Sequence, residues 1–497
     1  MWNASLFLKL LKTKPEAYWQ RRGERAAFKL FQRMAKIVPA YGDFLKKSGA
    51  RLASVKKVED FSNLPWLDKE NYLRCYSLAE LCWNGELKKG QWVFSATSGS
   101  TGEPFYFPRE DAQDKQYALT AELYLRDNFA IQNHSTLYIN GFAMGAWIGG
   151  LFTYQALKHV GARGNYRLST INPGLNRVEI LKAVKKLAPQ FDLVIIGGYP
   201  PFVKDLVDVG LAEGIRWQDY NLRFIFSAEG FNEDFRDYII RKAGLKNPYK
   251  DTLNHYGIVD LGTVAHETPL SILIRRLAVK NLRLYREIFG ATHKLPTLAQ
   301  YLPEFFYFEE VDGNLFCSAN SGLPLFRYNL KDRGGVLALT EVRRRFQRSG
   351  LDLDEEIKKA GLADLVWNLP FVYVYERSDF AVSHYGANIY PETVRKALQH
   401  RRLEDSVTGK CVLEIQRNQK QDPEFLVHVE LKPRARATLA LANSAGDLIL
   451  AELLKENSEY RNNHQQMGER TLPKIILQPY EHPEYFKSGG KQKWVKR

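Results

Sequence analysis

Between Trp92 and Phe226 the chain alternates short apolar runs with longer amphipathic ones. Trp92-Val93-Phe94-Ser95-Ala96, Thr136 to Asn140, Asp192-Leu193-Val194-Ile195-Ile196 and Leu222-Arg223-Phe224-Ile225-Phe226 are brief and rich in β-branched or aromatic residues, the pattern of strands. Asp111 to Phe129 has helical spacing, and further helical segments separate the later runs. Strands alternating with helices predict an α/β architecture with a largely parallel sheet. The first ninety residues read as helical, with Pro15 and Pro65 as punctuation and Asp68 as the N-cap of a helix through Tyr72.

Near Asp379 the pattern changes. Lys410 to Gln416 and Phe425 to Lys432 read as paired strands around the turn Asn418 to Pro423, Asn443 to Asn457 as a helix, and Lys474 to Leu477 as a third strand. The expectation is a large N-terminal α/β domain over residues 1–378 and a small mobile α+β domain over 379–497, long enough to hold its own core. Glu341 to Lys359 is crowded with charge and reads as a solvated helical insertion.

Of the 497 residues 45% are hydrophobic and 26% charged, which excludes a disordered, collagen-like or coiled-coil protein. The net charge of +15 favours anionic partners, namely nucleic acid, an acidic membrane surface or phosphorylated small molecules, without choosing among them. No compact basic stripe with interleaved aromatics occurs, so nucleic acid is not expected. Four scattered cysteines, Cys75, Cys82, Cys317 and Cys411, suit neither a disulfide framework nor a zinc site and fit a reducing compartment. The start of the chain does not read as a secretory signal and no run reaches membrane-spanning length. Cytoplasm is expected, with at most peripheral membrane contact through Leu6 to Leu11. A homodimer is compatible with all of this.

The sharpest local signal is Thr97-Ser98-Gly99-Ser100-Thr101-Gly102-Glu103-Pro104, directly after a strand. Glycines let backbone N–H groups converge on a phosphate chain, and the hydroxyls add donors. A Walker loop would require a lysine here, and none occurs before Lys115. Further blocks follow: Ser227-Ala228-Glu229-Gly230, His255-Tyr256-Gly257-Ile258-Val259-Asp260, Phe326-Arg327-Tyr328-Asn329-Leu330-Lys331-Asp332, Glu376-Arg377-Ser378-Asp379, Gly386 to Glu392, and Gly490-Lys491.

In this order the blocks resemble the acyl-adenylate-forming superfamily over roughly residues 60 to 497, most closely its phenylacetate–coenzyme A ligase branch with relatives in capsule biosynthesis. The resemblance implies an ATP- and magnesium-dependent ligase that makes an acyl-adenylate, releases pyrophosphate and passes the acyl group to coenzyme A. It implies that Thr97, Ser98, Gly99, Ser100, Thr101 and Gly102 hold the leaving pyrophosphate, that Ala228, Glu229, Gly230, Tyr256 and Gly257 line the adenine, and that Asp332 accepts from the ribose hydroxyls. Asp260 stands where the family carries a magnesium-binding glutamate, Arg377 lies near ribose and phosphate, Asp379 is the hinge, and Lys491 is the cation that offsets transition-state charge. The stretch Gly141 to Gly150 resembles the acid-binding helix, with Phe142, Gly145, Trp147 and Gly149 as lining residues and an aromatic or medium apolar acid as substrate. Glu376, Phe380 and Asp260 depart from the family pattern. Two other readings stay open: adenylation followed by transfer to an amine, hydroxyl or carrier-protein acceptor, and a non-catalytic basic protein that binds polyanions on the same fold.

Overall fold

A computed structural model describes residues 3–50, 52–97, 104–290, 295–377, 381–486 and 494–496. Its largest element is a sheet of eleven strands, in spatial order Phe306–Val311, Asn314–Ala319, Leu325–Leu337, Phe371–Arg377, Thr297–Gln300, Gly262–His266, Thr252–Ile258, Leu222–Phe226, Leu193–Gly198, Thr136–Asn140 and Leu168–Ile171. From Thr252–Ile258 to Leu168–Ile171 every neighbouring pair is parallel. Crossover helices such as Pro200–Ala212 and Glu233–Ala243 connect these strands in the chain and cover the faces of the sheet. Leu193–Gly198 is consequently buried at all six positions.

The other half of the sheet is antiparallel, so the parallel pairing expected from the apolar runs holds for one half only. Short turns such as Val259 to Leu261 and Asp312-Gly313 join its strands, and a turn of that length can only return the chain beside itself. The α/β class with a smaller C-terminal domain is observed as expected. The stretch Glu341 to Lys359 is not a solvated insertion. It forms the helices Leu339–Arg348 and Leu353–Lys359, whose Val342, Phe346 and Ile357 share a core with Ile274, Leu284 and Ile288. The first ninety residues are helical only to Lys47; beyond it the turns are short, and Asp68 caps a single turn, Lys69–Leu73.

After Arg377 the chain leaves this sheet. A hairpin of Val382–His384 and Ala387–Ile389 precedes a three-stranded sheet in which Val407–Arg417 pairs antiparallel with Pro423–Leu431, and the latter pairs parallel with Lys474–Gln478. Helices Pro391–Leu398, Leu439–Glu456 and Ser458–Met467 cover it, and Val394, Val427, Ile449 and Tyr460 form a separate core. No helix among the described residues is long and apolar enough to cross a membrane.

Candidate functional site

The strands Thr252–Ile258 and Leu325–Leu337 bring two of the sequence blocks into contact. Tyr256 donates from its hydroxyl to Asp332 Oδ2 at 2.5 Å, across 76 residues of chain. Both side chains are largely buried, at 9% and 6% exposure, so the phenol fixes the plane of the carboxylate. In the ladder, Asp332 lies directly opposite Arg377. Asn254, two residues before Tyr256, donates from Nδ2 to the Glu229 carbonyl at 3.2 Å. Its Oδ1 is buried and has no hydrogen-bond partner among the described residues, an acceptor suited to an amino group of a base.

Asp260 sits in the tight turn that follows Ile258. Its Oδ1 accepts from the Tyr328 hydroxyl at 2.6 Å and lies 3.7 Å from Lys69 Nζ. Lys69 is delivered by a segment stitched to the strand that carries Tyr328 and Asp332: Leu67 N–H donates to the Arg327 carbonyl at 3.0 Å, and Asn329 N–H to the Leu67 carbonyl at 2.8 Å. Lys331 completes the seam by donating to Asp68 Oδ2 at 2.7 Å. Arg327 (φ 47°), Lys331 (φ 59°) and Ala228 (φ 73°) all have left-handed backbones, a strained state for side-chain-bearing residues that clusters at functional sites.

The loop bearing Ala228, Glu229 and Gly230 follows the strand Leu222–Phe226 and is anchored from beneath. Arg275 donates to the Phe231 carbonyl at 2.5 Å and to Glu267 Oε1 at 2.6 Å, and Arg236 reaches the same Oε1 at 2.7 Å. Glu267 Oε2 accepts from Asn254 N–H at 2.9 Å, tying this ionic cluster to the strand that carries Tyr256. Burial alone would raise the Glu233 carboxyl, but Arg236 and Arg275 beside it hold it below its ordinary range.

The strands Val93–Ala96 and Tyr106–Arg109 form the hairpin on which the glycine–hydroxyl loop is mounted. Thr97 closes its base: Thr97 N–H donates to the Phe105 carbonyl and Phe105 N–H to Thr97 Oγ1, both at 3.0 Å. Ala96 N–H donates to the Ala146 carbonyl at 3.0 Å, which brings the Gly141 to Gly150 stretch against the loop's root. That stretch becomes helical only at Ile148. Gly145 and Ala146 are exposed, and Trp147 and Gly149 half-buried. Phe142 is instead a core residue, 2% exposed and 5.8 Å from the Tyr199 ring, so it does not line an open face. Ser98 to Gly102, Asp379 and Lys491 lie outside the described residues, and Arg377 is described by its backbone alone.

From the other side the small domain inserts a hairpin tip. His384 pairs with Ala387, leaving Tyr385 (φ 51°) and Gly386 (φ 84°) as a two-residue turn of the type that needs φ > 0 at both positions. Tyr385 is 2% exposed and packs into the large domain's core with Tyr199 and Phe202. Gly386 N–H donates to Glu229 Oε1 at 2.6 Å. A Cβ on Gly386 would stand 3.2 Å from the Tyr199 ring. Burial pushes the Glu229 carboxyl above its ordinary range, against the pull of Arg417 and this N–H.

Contacts thus link the Glu229 loop through Asn254 to the strand of Tyr256, Tyr256 to Asp332, and Asp260 through Tyr328 to the strand of Asp332, with Lys69 beside Asp260 and Lys331 on Asp68. Sequence reasoning missed Lys69 and Asn254. Asn254 had a usable signal in its fixed spacing from Tyr256, whereas Lys69 reaches the site through a seam between segments more than 250 residues apart. Neither a family model nor a curated protein matches the sequence. Among solved structures, 2-hydroxyisobutyryl-CoA ligase in complex with 2-HIB-AMP and CoA in the thioesterification state superposes with a TM-score of 0.65 at 16% identity, covering 98% of this chain and 91% of that one. The same ligase in the postadenylation state with 2-HIB-AMP gives 0.55 at 15% identity, with coverages of 98% and 91%. Its open conformation with 2-HIB-AMP and CoA gives 0.54 at 14%, with coverages of 98% and 93%. The chain shares with these structures the fold of the adenylate-forming ligases.

Proposed function

We propose that the chain is an ATP-dependent ligase that activates a carboxylic acid as acyl-AMP and transfers the acyl group to coenzyme A. The observation that carries this reading is the contact of Tyr256 with Asp332, which joins the segments that the sequence resemblance assigns to adenine and to ribose. In the first step a carboxylate oxygen bonds to the α-phosphorus and the bond to pyrophosphate breaks. In the second the thiol sulfur bonds to the acyl carbon, AMP leaves, and the thiol proton is released.

In this reading the Asn254 amide and the Glu229 loop face the base, and Asp332, held by Tyr256, accepts from the ribose. The Ser98 to Gly102 backbone and hydroxyls bind the pyrophosphate. Lys69 sits where phosphate charge must be offset, and Lys491 supplies the ammonium that neutralises the charge developing between α-phosphate and acid. Asp260 offers one carboxylate, with Oδ1 already oriented by Tyr328, and so fits an ion that uses one or two protein carboxylates and takes its remaining ligands from phosphates and water. Magnesium held there would neutralise phosphate charge as a Lewis acid. The boundary of the small domain is placed at Asp379, which serves as hinge.

A thiol acceptor is favoured by the greater likeness to the thioesterification state of a CoA ligase than to its postadenylation state, together with the Gly386 turn seated on Glu229. The test is acid-dependent ATP–pyrophosphate exchange over a panel of carboxylic acids, followed by mass spectrometry of products with coenzyme A. Exchange with no acid sinks the first step. Exchange without acyl-CoA sinks only the choice of acceptor.

A further inference from the structure

One helix of the large domain, Pro200–Ala212, meets the small domain with charges of both signs. Lys204 donates to Asp422 Oδ1 of the small domain at 2.5 Å and to Asp208 Oδ2, one turn along its own helix, at 2.7 Å. The next residue, Asp205, pairs with Arg470 of the small domain and also accepts from the Tyr385 hydroxyl at 3.4 Å. With the small domain in place Lys204 and Asp205 are 2% and 3% exposed, so both pairs are shielded from water on the large-domain side.

The partners are themselves held. Asp422 belongs to the turn Asn418 to Pro423, where its N–H donates to Asn418 Oδ1 at 3.0 Å and its Oδ2 accepts from Asn418 Nδ2 at 3.4 Å, which leaves Oδ1 toward Lys204. On the large-domain side the Tyr238 hydroxyl donates to Asp208 Oδ1 at 2.6 Å, and the Lys204 ammonium lies 5.2 Å from the centre of the Tyr238 ring. Arg417, where the same turn begins, stacks over Phe235 of the large domain with its guanidinium carbon 5.3 Å from the ring centre.

An ordinary pair within one helix would satisfy Lys204 through Asp208 alone. The pairs that cross between domains add direction. Shielded ion pairs contribute little net strength once desolvation is counted, but they penalise wrong arrangements heavily. Lys204 and Asp205 are adjacent and opposite in sign, and so are the partners they require, Asp422 and Arg470. A turn of the small domain that carried Arg470 toward Lys204, or Asp422 toward Asp205, would set like charges together. Complementarity is met at the setting that also seats the Gly386 turn on Glu229.

We propose that Lys204 and Asp205 are positioning residues of the acyl-transfer step, a two-sign key on one helix that selects the setting of the small domain in which the Gly386 turn rests on Glu229. The step it serves rests on the two-step ligase reading above; the setting it selects rests on the contacts alone. Neither side chain acts on the reacting atoms, and each works by placing the small domain. Acid activation draws on Lys491 rather than on the Gly386 turn, so the key serves the second half-reaction and not the first.

The test reverses charge in the turns of the small domain. Spin labels at Val178→Cys and Asp447→Cys, both exposed, in a Cys75→Ser background whose other cysteines are buried, report the distance between domains by double electron–electron resonance in the full chain. Asp422→Lys and Arg470→Glu should each lower the population at the native distance by about tenfold or more, with unchanged circular dichroism. Adding Lys204→Glu to Asp422→Lys restores opposite signs and should recover most of that population, whereas Lys204→Glu alone should lower it. Asp422→Lys should also lower kcat for thioester formation by about tenfold and keep acid-dependent ATP–pyrophosphate exchange within about twofold of native. An unchanged distance distribution in both single variants, or a loss in Asp422→Lys that Lys204→Glu does not repair, overturns the key. Exchange that falls as far as thioester formation overturns its assignment to the second step. If the native chain shows no exchange, the ligase reading fails, and the distances still decide whether the key exists.

Discussion

Replacing Glu267 by Gln tests whether the Ala228 to Gly230 loop is held by buried charge. Glu267 is fully buried; its Oε1 accepts from Arg236 and Arg275, and its Oε2 from Asn254 N–H. A glutamine has the same shape but one acceptor and one donor, so whichever way it turns an N–H meets an N–H. Breaking a buried ion pair from one side costs about 3–5 kcal/mol. Here Glu233 remains within 2.8 Å of Arg236 and 3.2 Å of Arg275 and compensates in part, which places the loss near the lower end, about 3 kcal/mol. With a urea slope of about 3 kcal/mol/M, the large-domain transition followed by tryptophan fluorescence should move down by about 1 M. Lys182→Ala, which breaks an exposed pair with Glu179, serves as control and should move it by less than a fifth of that. An unchanged midpoint in Glu267→Gln, with the control also silent, would refute the view that this cluster anchors the loop.

Tyr256→Phe removes one hydrogen bond to a buried carboxylate, so ATP affinity measured by calorimetry should fall about tenfold or more, from a loss of about 1.5–3 kcal/mol. Gly386→Ala puts a methyl against the Tyr199 ring and a side chain at φ 84°; thioester formation should fall at least about tenfold while ATP–pyrophosphate exchange is kept, as read by the two half-reaction assays. His255 and His266 are buried and held neutral, their ring nitrogens pushed down to about 3 and about 4 by desolvation. The unfolded chain binds those protons near pH 6.5, so below that value stability should fall by about 1.4 kcal/mol per pH unit per histidine; urea midpoints at pH 7, 6 and 5 measure it, and His255→Phe should make the slope shallower.

The sequence was most legible where local chemistry is strict. Leu193 to Gly198 declares a buried strand because every side chain is apolar or absent, and the Tyr256 and Asp332 blocks declare themselves by residue type and order. The antiparallel half was opaque because strands such as Phe306–Val311 are buried on alternate positions only and carry Glu309 and Glu310, so they lack a continuous apolar run. The charged helices after Leu339 looked solvated because their apolar stripe occupies few positions, though Phe346 is fully buried. Lys69 was invisible for another reason: it gains its meaning from a partner supplied by a distant segment, Asp260.

The hairpin tip carries a thermal consequence. Tyr385 is sunk in the large domain's apolar cluster, so any movement that frees the small domain must bring its ring, and the faces of Tyr199 and Phe202 that it covers, into water. Wetting aromatic and aliphatic surface raises heat capacity. Separation of the domains should therefore have a curved van't Hoff plot, with the closed form gaining ground on warming from the cold before conformational entropy reverses the trend.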